Sequence, residues 1–297
     1  MVMTPHFEEL ADGVWAYIQP DGSWMINNMG LIDGPEGTTT IDVTSTERRT
    51  REYLAEAEKR ARPVRQVIYT HSHPDHCNGA SLLPDAEVIA HASVTEELRR
   101  TPAPAPHIFT PFEQGDVTYR LPTIAFDDRL DLRIGDRRVE LRHPARPAHT
   151  RGDVYVWLPD ERILFTGDLV FNGGTPFAIS GSPEGWLATL DELAELEPKV
   201  VVPGHGPVGG AEILAPVARY LRLLLDAAQD AVDKELTPLA AARSLNLGEF
   251  AGWLDAERIV GNLHRAIADV EDRQPDLASA WQDMYDYNGS RPLDCHA

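Results

Sequence analysis

The stretch His71-Ser72-His73-Pro74-Asp75-His76 decides the fold of this chain. Four side chains that bind metal ions through nitrogen or oxygen occur within six residues, whereas the whole 297-residue chain contains 11 histidines. His71 and His73 are two residues apart, so on an extended loop both can face one metal ion. Asp75 and His76 are close enough to bind a second ion. The stretch therefore predicts a metal site.

The position of this stretch supports the same interpretation. It follows the apolar segment Val67 to Thr70, which predicts a short buried strand, and ligands bind at such strand ends in α/β sheets. Three further segments also place a His or Asp just past a predicted strand or in a tight turn. They are Ala148-His149-Thr150-Arg151-Gly152-Asp153, Phe165-Thr166-Gly167-Asp168-Leu169 and Val202-Pro203-Gly204-His205-Gly206.

The remaining pattern predicts two blocks of strands, each followed by helices. We expect one domain over residues 1–297, with the metal motifs at 71–205 and a mainly helical C-terminal part at 210–297. The predicted strands are 14–18, 25–32, 38–43, 67–70, 87–90, 129–134, 138–142, 154–158, 162–166 and 200–202. The predicted helices before residue 210 are 46–61, 93–100 and 185–196.

Two segments are predicted to border a substrate pocket. Residues Thr101 to Pro122 contain five prolines and no clear periodicity, which indicates a loop that could cover the site. The Gly-containing turn from Phe171 to Phe177 lacks the Lys and following helix of a phosphate-binding loop, so we expect it to line the pocket. The candidate apolar walls, for which core packing is the alternative, are Trp24, Phe109, Phe112 and Phe177.

Composition limits the possible partners and the compartment. The net charge of -20, from 47 acidic and 27 basic residues, repels phosphate backbones and anionic headgroups, so neither nucleic acid nor a membrane is an expected partner. Only Cys77 and Cys295 are present, and neither a signal peptide nor a membrane-spanning segment is recognised. We therefore expect a cytoplasmic protein.

With these separated motifs in order between residues 71 and 205, the sequence resembles the metallo-β-lactamase superfamily. The resemblance implies an α/β fold, a four-layer αββα sandwich with additional C-terminal helices. It also implies two zinc ions, with iron or manganese as possible replacements. His71, His73 and His149 would hold the first ion, Asp75, His76 and His205 the second, and Asp168 would bridge the two. Asp75 would also orient the attacking water and is the expected catalytic residue.

The remaining histidines and Cys77 are interpreted as non-ligands. Cys77 adjoins the motif, but His76 already fills the position of a ligand, and a free Cys is often simply buried. Isolated histidines are usually ordinary surface or core residues. The histidines interpreted in this way are His6, His91, His107, His143, His264 and His296.

Asp rather than Cys at position 168 is similar to the glyoxalase II, lactonase and thioesterase members of the superfamily, and not to its cysteine-containing β-lactamases. The segments Asp168 to Phe177 and Arg258 to Ala266 resemble a bacterial subgroup that includes aromatic polyketide cyclases of actinorhodin-type pathways. This resemblance implies a dizinc thioesterase and cyclase in antibiotic biosynthesis.

The substrate that this resemblance implies is a small-molecule acyl compound, and the specific expectation is an aromatic polyketide carried on an acyl carrier protein. The alternatives are a glyoxalase II-like or lactonase-type hydrolase of small molecules and a mononuclear iron persulfide dioxygenase. The sequence does not predict an oligomeric state.

Overall fold

The protein is built in layers. Successive side chains of its first strands point to opposite faces of one sheet, and each face packs against a different layer. The computed structural model describes residues 4–100 and 104–297. In the strand Val14–Ile18, the side chains of Val14, Ala16 and Ile18 pack on one face of their sheet, and those of Trp15 and Tyr17 pack on the other. Because successive strand residues point to opposite faces, this sheet is covered on both sides.

The first sheet has seven strands in chain order, antiparallel from β1 to β4 and parallel from β4 to β7. Its strands are β1 (His6–Ala11), β2 (Val14–Ile18), β3 (Met29–Gly34), β4 (Gly37–Ile41), β5 (Val64–Ile68), β6 (Glu87–His91) and β7 (Ile124–Phe126). The second sheet has the order β12-β11-β10-β9-β8, and only its β11 and β12 are parallel. Its strands are β8 (Arg129–Ile134), β9 (Arg137–Arg142), β10 (Tyr155–Leu158), β11 (Ile163–Phe165) and β12 (Val200–Val202).

Eight α-helices accompany the sheets within the described residues. Before the second sheet come α1 (Glu47–Ala57), α2 (Pro74–Cys77) and α3 (Val94–Arg100), and α4 (Pro183–Glu195) precedes β12. The C-terminal helices are α5 (Leu214–Asp233), α6 (Pro238–Ser244), α7 (Arg258–Val270) and α8 (Leu277–Tyr287). Among all the described residues, no helix is both long and apolar enough to cross a bilayer.

The buried residues show how the layers are stacked. Ile41 and Ile68 of the first sheet meet Val156 and Phe165 of the second in one apolar core. The opposite face of the first sheet packs on α1 and α3, and the opposite face of the second packs on α4, α5 and α7. The expected αββα fold with additional C-terminal helices is therefore confirmed.

Most predicted elements are found within a few residues of their expected bounds. The segment Met25 to Ile32 differs, because the strand begins only at Met29. Met25 has a positive φ of 64°, and the side-chain amide of Asn28 donates to the carbonyl oxygens of Pro203 and Gly206. These bonds hold residues 25–28 against the turn that carries His205, so the segment cannot extend the sheet.

Two edge strands were not predicted from the sequence. β1 alternates poorly between apolar and polar residues, and β7 has only three residues. The described part of the predicted loop, residues 104–122, has no helix and a single β-bridge, which joins Phe109 to Leu293.

Candidate metal centre and its cavity

The loop after β5 places four of the predicted ligands. Pro74 occupies the first helical position of α2, where its missing N–H costs no hydrogen bond and its fixed φ favours a helix start. His73 precedes it with extended backbone (φ -69°, ψ 149°), whereas Asp75 and His76 lie inside the helical turn. The change from extended to helical backbone thus separates the four side chains into two groups.

Three histidines from two loops converge in what we call the histidine cluster: His71, His73 and His149. The Nδ1 atom of His73 is 3.1 Å from Nε2 of His71 and 2.9 Å from Nε2 of His149. Asp168 faces them, with its Oδ2 3.4 Å from His149 Nε2 and 3.8 Å from His71 Nε2. Nitrogen ligands on a tetrahedral zinc ion, bound at about 2.0–2.1 Å, are roughly 3.3 Å apart. The spacing fits one such ion.

The mixed cluster, Asp75, His76 and His205, lies on the other side of Asp168. His205 Nε2 is 3.3 Å from Asp75 Oδ2 and 3.3 Å from Asp168 Oδ1, and His76 Nε2 is 3.1 Å from the same Asp168 oxygen. Each oxygen of Asp168 therefore faces a different cluster. This is the arrangement that the proposed bridging role requires, and the two clusters are both groups that could hold a metal ion.

Two observations test whether a cation fits between these side chains. His76 Nε2 and Asp168 Oδ1 are fully buried, and neither makes a well-oriented hydrogen bond within the described residues. Buried polar atoms without partners are costly and call for an explanation, such as an ion. Gly204 also has no room for a side chain, because a Cβ there would lie 2.0 Å from Asp168 Oδ1. The turn therefore packs directly against the Asp168 carboxylate, and the set of buried nitrogen and oxygen donors fits the expected metal ions.

Burial and charge act differently on the two clusters. Burial lowers the pKa of His71 and His73 and lowers that of His149 to about 3, so these rings are neutral and can donate lone pairs. In the mixed cluster, burial again opposes protonation, but Asp168 and Asp75 outweigh it and raise the pKa of His205 to about 9. Without metal, this negative region therefore attracts protons, and a dication would replace them.

Groups outside the clusters fix the orientation of three rings. Thr70 Oγ1 donates to Asp42 Oδ2 (2.7 Å) and lies 3.0 Å from His71 Nδ1. The same Asp42 oxygen is 2.8 Å from His76 Nδ1, and the Gly22 carbonyl oxygen is 3.1 Å from His205 Nδ1. Each Nδ1–H then has an acceptor, which leaves Nε2 free to face the clusters.

From the sequence, Asp42 is predicted only as part of a strand, and its contacts with Thr70 and His76 are not predicted. It follows β4, 28 residues before Thr70, and accepts 2.7 Å hydrogen bonds from both the backbone N–H and the hydroxyl of that residue. An acidic residue at the end of a predicted strand could have indicated it.

Cys77 lies outside both clusters, as do the six histidines interpreted as non-ligands. Its buried thiol donates to the carbonyl oxygen of His71 (3.0 Å), and burial raises its pKa well above the usual value. His91, the last residue of β6, and His143, which follows β9, stack on one another with ring centroids 3.7 Å apart.

A cavity of about 590 Å³ opens onto the clusters. His73, Asp75, His149, Asp168 and His205 all line it. All four candidate apolar walls also line it, namely Trp24, Phe109, Phe112 and Phe177. So do Phe171 and several residues of the 104–122 segment, which places both predicted pocket-forming segments at this cavity.

Three further wall residues come from the C-terminal helices and were not predicted: Arg258, Leu277 and Trp281. The Trp281 ring, on α8, lies 5.6–5.9 Å from the rings of Trp24, Phe109 and Phe177, measured between centroids. The buried Arg258 guanidinium, on α7, lies 4.0 Å from the Trp24 centroid and pairs with Asp255 at 2.7 Å. The cavity wall therefore contains a group of packed aromatic rings, with one arginine beside them.

Comparison with known proteins places the chain in a family. Residues 22–205, more than half of the chain, match the Metallo-beta-lactamase superfamily. A linear primary-alkylsulfatase from Pseudomonas sp. is 27% identical over 233 residues, which are 65% of this chain but only 44% of that protein. The acyl-coenzyme A thioesterase MBLAC2 of Homo sapiens is 29% identical over 241 residues, 71% of this chain and 84% of that protein.

The fold is similar to that of solved structures. A metallo-beta-lactamase from Pontibacter korlensis superposes with a TM-score of 0.60 at 22% identity, over 74% of this chain and 99% of that protein. The order of the motifs, the two clusters and the sequence match agree, and the chain belongs to the metallo-beta-lactamase superfamily of metal-dependent hydrolases.

Proposed function

We propose that the protein is a dizinc thioesterase that hydrolyses a bulky aromatic acyl thioester. The observation that carries the proposal is that one cavity contains both the ligand side chains and a wall of aromatic rings. Its volume of about 590 Å³ is within the range that holds a ligand of several rings. An acyl group bound between the rings would have its carbonyl carbon next to the clusters.

The metal ions and Asp75 would have different roles in hydrolysis. Bound zinc would polarise the carbonyl group and lower the pKa of water, which is the usual contribution of a metal ion to hydrolysis. Asp75 is kept ionised, because His76 and His205 outweigh the effect of burial and hold its pKa at about 2. Its carboxylate lines the cavity and is available to orient the attacking water. Water adds its oxygen to the acyl carbon, the C–S bond breaks, and the products are a carboxylic acid and a thiol.

The similarity to a curated acyl-coenzyme A thioesterase supports the choice of a thioester. In its most specific form, the proposal is that the acyl group is an aromatic polyketide on an acyl carrier protein, and that the same site assists ring closure. The flat rings of Trp24, Phe177 and Trp281 favour a planar substrate. Arg258, whose charge is paired with Asp255, stacks on the Trp24 ring and so holds that ring in the wall.

The test compares matched substrates on zinc-loaded protein. We expect release of thiol from an aromatic acyl pantetheine thioester, and slower cleavage of the corresponding lactone. His73→Ala should abolish the activity, whereas the matched control His6→Ala, an exposed histidine on β1, should leave it unchanged. A carrier protein in place of pantetheine tests the partner, because recognition of the carrier would raise kcat/KM.

Other outcomes would identify the alternatives. Faster cleavage of the lactone would replace the thioesterase by a lactonase. One iron ion per chain together with oxygen consumption on a persulfide would replace it by the dioxygenase.

A further inference from the structure

Glu97 connects the two loops that carry the histidine cluster, although it belongs to neither. It lies on α3, and Ser72 Oγ donates to its Oε2 at 2.7 Å. The backbone N–H of Arg151 donates to its other oxygen, Oε1, at 3.2 Å. Each oxygen of one carboxylate therefore contacts a different loop.

Those two loops supply every nitrogen of the histidine cluster. Ser72 lies between His71 and His73, and Arg151 lies two residues after His149. The distance between the loops sets whether His149 Nε2 can stay 2.9 Å from His73 Nδ1. A carboxylate that contacts both loops is thus placed to fix that distance.

The mixed cluster has separate anchors. His76 is oriented by Asp42 and His205 by the carbonyl oxygen of Gly22, and neither anchor contacts Glu97 in the described hydrogen bonds. Loss of the Glu97 contacts should therefore affect one cluster and not the other.

Packing around Gly152 supports the same role. A Cβ at Gly152 would lie 2.7 Å from Ser93 Oγ, 2.8 Å from Val94 Cγ2 and 3.3 Å from Glu97 Oε2. The 150–153 loop therefore lies directly against the first turn of α3. Asp153 stiffens this loop by accepting hydrogen bonds from the backbone N–H (2.9 Å) and the hydroxyl (2.7 Å) of Thr150.

We propose that Glu97 is a positioning residue that holds the two loops at the separation the histidine cluster needs to bind its metal ion. The inference rests on the metal binding proposed above, but not on the identity of the substrate. Leu98, the next residue of α3, lines the cavity, so one turn of this helix contacts both the substrate space and the metal-binding loops.

The experiment measures zinc affinity directly, by competition with a chelator, on the full-length chain. We expect Glu97→Ala to lower the affinity for one of the two bound zinc equivalents by about 10- to 100-fold, which is typical when a hydrogen-bond partner of a metal ligand is lost. The affinity for the other equivalent should not change. Glu97→Gln should recover most of the affinity, because its amide can accept from Arg151 N–H and donate to Ser72 Oγ. The cobalt-substituted absorption spectrum should change in Glu97→Ala and not in Glu97→Gln.

The neighbouring Glu96→Ala is the matched control, because Glu96 is an exposed residue of the same helix that pairs with Arg100. It should bind both equivalents like the wild type. If the wild type binds two equivalents and Glu97→Ala binds both as tightly, the inference is wrong and the proposed metal centre stands. Equal weakening of both equivalents, or a Glu97→Gln variant as impaired as Glu97→Ala, would also overturn it. A wild type that binds no metal would instead overturn the proposed function.

Discussion

Both clusters contain buried histidines, but the pKa values of these histidines are shifted in opposite directions. Burial keeps His71 and His149 neutral, whereas Asp168 and Asp75 outweigh burial and keep His205 protonated when no metal is present. The difference comes from where the carboxylates lie, since the rings of His71, His149 and His205 are all buried. An imidazole in a metal centre therefore cannot be assigned a protonation state from burial alone.

The largest effect should follow from removing the residue that the clusters share. Asp168→Ala deletes the carboxylate whose two oxygens face different clusters, so both metal equivalents should be lost together. His205→Ala, in comparison, should lose only the equivalent of the mixed cluster. Metal content after dialysis and thioester turnover are the measurements. Retention of one tightly bound equivalent in Asp168→Ala would show that Asp168 does not bridge.

The next effect concerns how the free energy of unfolding of the metal-free protein depends on pH. The folded-state pKa of His205 is raised from 6.5 to about 9, so its contribution is full below pH 6.5 and is lost as pH rises toward 9. The pKa of His149 is lowered from 6.5 to about 3, so the unfolded state takes up its proton first and stability falls as pH drops from 6.5 toward 3.

Chemical denaturation between pH 3 and pH 9 tests this difference. We expect His205→Gln to flatten the alkaline side of the stability profile and His149→Gln to flatten the acidic side. Identical profiles for the two variants would contradict the opposite behaviour of the clusters.

A smaller effect is expected at Asp42, the anchor of the mixed cluster. Asp42→Ala removes the acceptor 2.8 Å from His76 Nδ1 and should weaken zinc in the mixed cluster by about 10- to 100-fold. Thr70 loses the same partner, so a weaker effect on the histidine cluster should accompany it. Chelator competition distinguishes the two equivalents. A loss confined to the histidine cluster would show that Asp42 acts through Thr70 alone.

The smallest effect should come from the cavity wall. Trp281→Leu removes an aromatic ring 5.6 Å from the Phe177 ring, and such pairs contribute about 0.5–1.5 kcal/mol. We expect KM for an aromatic acyl thioester to rise about 2- to 10-fold, with no change in zinc content. An acetyl thioester, too small to reach the wall, serves as the control substrate. An equal change with both substrates would place Trp281 outside the acyl-binding region.

The sequence predicted much more of the metal centre than of what surrounds it. His71, His73, Asp75 and His76 lie in six residues, and the other motifs adjoin strands, so their convergence could be expected from local pattern. Asp42, Glu97 and Trp281 act through contacts with distant segments, and no local pattern reports such contacts. Trp281 reaches Trp24 across more than 250 positions because the C-terminal helices fold back over the cavity.

The same limit applies to the fold. The pattern of short apolar runs predicted most of the inner strands, since burial on both faces of a sheet requires apolar residues at successive positions. It failed at β1 and β7 and at residues 25–28, where contacts with another part of the chain decide the backbone conformation.

The β-bridge between Phe109 and Leu293 joins the cavity wall to a segment that is synthesised much later in translation. Thr110 and Leu293 are joined by a backbone hydrogen bond of 2.9 Å, and the Thr110 hydroxyl accepts from the backbone N–H of Cys295 at 2.8 Å. All six cluster residues and Asp168 precede residue 206, so every candidate metal ligand is synthesised before the segment that contacts Thr110. A nascent chain stalled after α5 would therefore contain every candidate ligand but lack the residues that fix this side of the cavity wall.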